Sequence, residues 1–181
     1  MINQTLQQFD KVIQKCKSIF ISKSKDYGTS WRVMRLSTIT DQLFIKAQRI
    51  RNIEEKGSQK IGDDIESEYI GIVNYCIMGL IQLELKDSKE LNLPIDELTL
   101  LYDKYVTSTK MLMENKNHDY GEVWRDMRVS SFTDILLVRL LRIKQIEDNN
   151  GQTIMSEGID ANLQDMINYS VFALIRIDEQ R

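Results

Sequence analysis

Residues along this chain recur at a fixed offset of 93, and that recurrence limits the possible folds more than any other feature. Phe9-Asp10-Lys11 returns as Tyr102-Asp103-Lys104, Asp26-Tyr27-Gly28 as Asp119-Tyr120-Gly121, and Trp31-Arg32 as Trp124-Arg125. Met34-Arg35 likewise meets Met127-Arg128, and Thr40-Asp41 meets Thr133-Asp134. One extra residue in the second copy moves later matches to 94, where Asn74-Tyr75 meets Asn168-Tyr169. The 181 residues therefore divide into a first repeat at 1–86, a linker at 87–94 holding the only proline, Pro94, and a second repeat at 95–181.

One Pro and 8 Gly leave few places to turn, which favours long helices over a strand-rich fold. In the first copy, Leu6, Phe9, Val12, Ile13, Cys16, Ile19 and Phe20 follow the three-and-four spacing of an amphipathic helix over about Thr5 to Lys23. Its counterpart runs from about Ile95 to Lys116. The second helix is expected to open at Thr38, where Thr38-Ile39-Thr40-Asp41 fits a capping box, and again at Ser131 in the other copy. The third spans about Asp63 to Leu85, and about Ser156 to Glu179. Apolar residues from Tyr69 to Ile81 cover nearly the whole circumference of that third helix, so it belongs at the centre of the molecule. A three-helix unit of this size cannot enclose such a helix alone. The expectation is an all-α six-helix bundle with one shared core, the two repeats related by a pseudo-twofold axis.

Composition removes several function classes. The 24 Lys+Arg against 27 Asp+Glu give a net charge of -3, without the basic excess that drives duplex binding. Single-stranded nucleic acid recognition by the two aromatic loops is disfavoured on the same ground, so no stable nucleic-acid binding is expected. The apolar run from Ile70 to Ile81 is too short for a membrane span, and the N-terminal residues lack a secretion signal, so a cytoplasmic protein is expected. Cys16 and Cys76 show no metal-ligand spacing and read as small buried hydrophobes. His118 stands where the first copy has Lys25, which suits a surface cation better than an essential base.

Three constellations could carry chemistry. The most repeated segment runs from Asp26 to Ser37, with 8 of its 12 positions identical to those from Asp119 to Ser130. Tyr27, Trp31, Tyr120 and Trp124 offer flat faces to a base, while Arg32, Arg35, Arg125 and Arg128 offer fork donors to phosphate. The plainer alternative is that the rings plug the end of the bundle and the arginines pair with local acids. The second constellation is acidic. Asp63 and Glu66 start one third helix, Glu157 and Asp160 the other, with Asp165 two turns beyond Glu157 and Glu147 across the hairpin. Gathered together, such carboxylates make a hard oxygen site for Mg²⁺ or Mn²⁺. Alternatively they are solvated charge at helix N-termini. Third, Asn74 and Asn168 interrupt apolar faces, with Lys46 and Arg49, or Arg139 and Arg142, opposite them. Either an internal Arg–Asn–acid network closed by Glu68 or Asp165 satisfies them, or they form the phosphate end of a pocket.

The DYG-x-x-W-R loop, the K/R-x-x-R-I of the second helix and the G/D-x-x-N-Y of the third resemble the nucleotide-modification-associated domain family, over nearly the whole chain. That family is similar to the all-α nucleoside triphosphate pyrophosphohydrolases of the MazG and dimeric dUTPase type. The resemblance implies a helical bundle that holds Mg²⁺ on helix-borne acids and cleaves a nucleotide between its α and β phosphates. On that pattern the E-x-x-D element falls on Glu157 and Asp160, with Asp63 and Glu66 as its variant. The E-E-x-x-E of the second helix is replaced by Lys46 and Arg49, or Arg139 and Arg142, and Gly71 stands where the second copy has Asp165. The leading expectation is a nucleotide-binding protein with Glu157, Asp160 and Asp165 as catalytic metal ligands helped by Glu147, the basic residues on phosphate and the aromatic residues on the base. The rival is a non-catalytic helical interaction module binding a protein through the first helix of each repeat. Association into a homodimer is compatible with either.

Overall fold

A computed structural model describes residues 2–57 and 64–181, so Asp63, expected among the metal ligands, lies outside the described residues. The described chain is all-α. Six long helices occur in the order α1 (Ile2–Tyr27), α2 (Leu36–Lys56), α3 (Ile65–Glu84), α4 (Ile95–Tyr120), α5 (Val129–Asp148) and α6 (Ile159–Glu179). Short 3-10 helices at Ser30–Val33 and Val123–Asp126 join α1 to α2 and α4 to α5. Pro94 stands at the N-cap of α4, where its missing N–H costs nothing.

The packing follows from which helices are apolar all round. The most extensive contact is α3 against α6, flanked by α2 on α3 and α5 on α6, while α2 also packs on α5 and α1 on α4. Each contact made by one half has a counterpart made by the other, which is the pseudo-twofold arrangement expected of the repeat. Tyr69, Ile72, Val73, Cys76 and Ile77 of α3 and Met166, Ile167, Val171 and Ala173 of α6 are wholly enclosed. They belong to one continuous core that draws on both repeats.

The helix ends differ from expectation in ways that matter for the site. Asp26 and Tyr27, read as loop, form the last turn of α1. The cap expected at Thr38 is not made, because α2 already starts at Leu36 with extended Arg35 at its N-cap. Thr40 and Thr133 lie instead in the α2–α5 interface. Each hydroxyl donates to a carboxylate from the opposite half, Thr40 to Glu147 at 2.7 Å and Thr133 to Glu54 at 2.9 Å. Asp64 caps α3, its Oδ1 accepting from the Ser67 amide at 2.8 Å. Glu157 precedes α6, which begins at Ile159, so Glu157 and Asp160 do not share a helical face.

Candidate functional site: twin clefts at the aromatic loops

Each repeated loop is built in the same way. Gly28 and Gly121 adopt left-handed φ values of 66° and 70°, a conformation favouring glycine, and turn the chain out of α1 and α4. The 3-10 turn that follows drives the tryptophan inward. Trp31 is buried against Phe20, and Trp124 stacks on Phe172 with centroids 4.2 Å apart and planes within 5°. The Arg125 guanidinium lies 4.3 Å from the Trp124 ring centre, so with Phe172 it occupies both faces of the indole. Neither tryptophan therefore presents a free face to a base, although both indole N–H groups are buried without a partner among the described residues.

The two arginines following the tryptophans serve the protein itself. Arg32 is buried and donates to Gln82 Oε1 and to the carbonyls of Leu85 and Ser88 at 3.2 Å and Glu90 at 3.1 Å, so it ties the loop to the end of α3. Arg125 donates to Glu179, Gln8 and Thr5, fastening the second loop to the start of α1 and the end of α6. Arg35 and Arg128 are exposed at the N-caps of α2 and α5. The tyrosines are the open aromatic faces. Tyr27 is 57% exposed and Tyr120 74% exposed.

Beside each loop lies a cleft. The first, of about 360 Å³, is lined by Lys23, Tyr27, Trp31, Lys46, Glu68 and Gly71, among others. The second, of about 370 Å³, is lined by the aligned Lys116, Tyr120 and Trp124, with Asp165, Asn168 and Tyr169. These volumes fall at the low end of the ~300–1,000 Å³ usual for small-molecule sites. Burial pushes the Tyr27 phenol above its ordinary range, assisted by Tyr75 and Asp26.

The charge arrangement differs between the clefts. In the first, buried Glu68 accepts from Arg49 and lies 3.4 Å from the Lys46 ammonium, which also sits 5.5 Å from the Tyr75 ring centre. In the second, buried Asp165 accepts from Lys116 at 2.6 Å and forms an ion pair with Arg139 at 2.9 Å. Arg139 also lies 3.4 Å from Asn162, which replaces Glu68 in the alignment. The single carboxylate of each cleft has thus moved by three residues, roughly 4.5 Å along the helix. Arg142 is exposed.

The asparagines face inward. Asn74 donates to the Cys16 carbonyl at 3.0 Å and accepts from Tyr102 at 2.9 Å. Asn168 donates to the aligned Thr109 carbonyl at 3.3 Å, but its Oδ1 has no partner. The reason lies in the repeat: the residue aligned with Tyr102 is Phe9, which has no hydroxyl. Neither asparagine is held by the basic residues opposite it, as the sequence suggested.

The acidic residues do not come together. Glu147 accepts from Thr40, and desolvation by the α2–α5 interface raises its pKa, an effect that hydrogen bond only partly offsets. Glu66 is paired with Lys15 and Arg181, which hold its carboxyl below its ordinary range, the Lys15 bond contributing most. Glu157 and Asp160 are exposed at the start of α6, and both Asp165 oxygens are committed to cations. Among the described residues no group of three or more His, Cys, Asp or Glu side chains could hold a metal ion. The several-acid centre expected for Mg²⁺ or Mn²⁺ is therefore not formed among the described residues.

Lys23 and Lys116 were missing from the sequence-level site. Their signal was available, since they recur at the same offset three residues before Asp-Tyr-Gly. A duplicated helical bundle with a cleft beside each aromatic loop, each bordered by a lysine three residues before Asp-Tyr-Gly, is therefore the class of protein that fold and site define. The chain belongs to the nucleotide modification associated domain 1 family, whose profile matches residues 23–83 and 116–177, one copy in each repeat and together more than half of the sequence. No curated protein and no solved structure matches it. Among the described residues no helix is long and apolar enough to cross a membrane.

Proposed function

We propose that the protein binds a nucleotide through its phosphates in the clefts beside the aromatic loops. The observation that carries this reading is the basic excess of the first cleft, lined by Lys23 and Lys46 against the single acid Glu68, in a chain whose net charge is -3. Lys46 and Arg49 pair with Glu68 while Lys23, among the described residues, stands free on the same cleft, whereas in the second cleft Asp165 pairs with Lys116 and with Arg139. A phosphate brings the negative charge and acceptor oxygens that such a cluster can engage. Tyr27 or Tyr120, exposed at the edge, supplies a ring on which a base can stack, in place of the enclosed tryptophans. Membership of the nucleotide modification associated family agrees with this ligand class.

The resemblance to MazG-type pyrophosphohydrolases read in the sequence would extend this reading to cleavage between α and β phosphates. That chemistry uses a metal ion to polarise the phosphates, and the described carboxylates form no group of three or more that would support it. Binding is accordingly the function the geometry supports best. Calorimetric titration and thermal shift with nucleosides and their mono-, di- and triphosphates, with and without Mg²⁺, test it. Saturable binding that strengthens with phosphate number and weakens with salt is expected. Absence of binding by every nucleotide overturns the reading and directs attention to protein partners, for which Leu100 and Met111 are exposed on α4. Pyrophosphate release on addition of Mg²⁺ restores the hydrolytic reading.

A further inference from the structure

Resting on that nucleotide reading, we infer that the phosphates are taken by Lys23 and Lys46 in the first cleft, while in the second cleft Asp165 already occupies the equivalent place. The two clefts share their aromatic loop, their lysine on α1 or α4 and their basic residue on α2 or α5. They differ in what satisfies those cations.

In the second cleft the pair is spent. Lys116 and Arg139 meet on opposite oxygens of one carboxylate, at 2.6 and 2.9 Å, and Asp165 is 3% exposed. An incoming phosphate must break both contacts and leave a buried carboxylate uncompensated, which is costly. In the first cleft the corresponding position is Gly71, which carries no acid. Lys23 has no hydrogen-bond or ion-pair partner among the described residues, and Lys46 makes only a long 3.4 Å contact to Glu68 Oε2 and lies 5.5 Å from the Tyr75 ring centre, while Arg49 engages the other oxygen, Oε1. Lys46 is therefore weakly held and Lys23 unpaired beside an open space of about 360 Å³.

Gly71 is what makes this possible. A Cβ there would come 3.0 Å from Lys46 Cε and 3.1 Å from its Nζ, so the lysine lies across the bare helix backbone. A side chain at 71 displaces it, and an aspartate at 71 rebuilds the second cleft's internal pairing within the first. The sequence difference between the repeats thus separates a ligand-accepting cleft from a self-satisfied one.

The test is calorimetry on the full chain at fixed salt, with ATP, GTP, CTP, UTP and inorganic pyrophosphate as probes and thermal melts to confirm folding. Lys23→Ala and Lys46→Ala are each expected to weaken binding at least fivefold, and Gly71→Asp at least tenfold. Gly71→Asn, the neutral isostere, should retain more affinity than Gly71→Asp. Lys116→Ala and Arg139→Ala should change it less than twofold, and Asp165→Asn should add a second binding equivalent. Binding lost on Lys116→Ala or Arg139→Ala but unaffected by Gly71→Asp assigns the phosphates to the second cleft, overturning this inference while leaving nucleotide binding intact. No binding of any probe by the unaltered protein overturns both.

Discussion

Asn74 and Asn168 occupy aligned places in the two central helices, yet one is fully satisfied and the other is not. Tyr102→Phe removes the hydroxyl that donates to Asn74 Oδ1 at 2.9 Å, in a site where Tyr102 is 0% and Asn74 6% exposed. Water cannot replace the donor without opening the core, so the full penalty of an orphaned acceptor applies, about 2 kcal/mol within a range of ~1–3. For a chain of this length that corresponds to a fall in Tm of ~4–8 °C. The reverse change, Phe9→Tyr, places a hydroxyl where the repeat predicts a donor for Asn168 Oδ1. It is expected to be neutral or to stabilise by up to about 1 kcal/mol. Urea unfolding of both variants, with ΔG compared at equal m, is the assay. If Tyr102→Phe lies within 0.5 kcal/mol of the parent while Phe9→Tyr is the costlier change, the pseudosymmetric account of these asparagines is refuted.

Arg32→Ala should destabilise by ~2–4 kcal/mol, because four hydrogen bonds to the end of α3 and the connector are lost, whereas exposed Arg35→Ala should stay within about 0.5 kcal/mol; parallel denaturant titrations distinguish them. Burial raises the Glu147 carboxyl above its ordinary 4.5, so its contribution to stability is present below that pH and is lost as pH rises through the shifted value. Glu147→Gln should therefore flatten the decline in stability between mildly acidic and neutral pH, as followed by urea midpoints across that window. Burial pushes the Cys16 thiol up to about 12 and Cys76 higher still, so neither should react with a thiol-specific reagent until the protein unfolds. Stoichiometric labelling of the native protein counts against that burial.

The fold was legible because duplication and helix periodicity act over long stretches. The circumferentially apolar segment around Val73 and its partner around Val171 required each other, and they do form the centre of the bundle. Helix ends were less legible, since local chemistry competes with tertiary contact. Thr40 has the hydroxyl of a cap, but packing of α2 on α5 gives it a carboxylate partner from the other repeat. The site was legible in composition more than in roles. Arg32 and Arg125 carry the donors that suit phosphate, yet nearby carbonyls and side chains engage them first. Lys23 is marked in the sequence only by its recurrence as Lys116, and the folded chain gives that recurrence a role by placing Lys23 and Lys46 on one cleft.

A crystal structure of the protein with a bound nucleoside triphosphate addresses the main claim without intermediaries. The account predicts phosphate oxygens within hydrogen-bonding distance, about 2.7–3.2 Å, of the Lys23 and Lys46 ammonium groups, with the Asp165 pairing to Lys116 and Arg139 undisturbed. A nucleotide seated in the second cleft or outside both, or one held through a cation gathered by Glu157, Asp160 and Asp165, contradicts it.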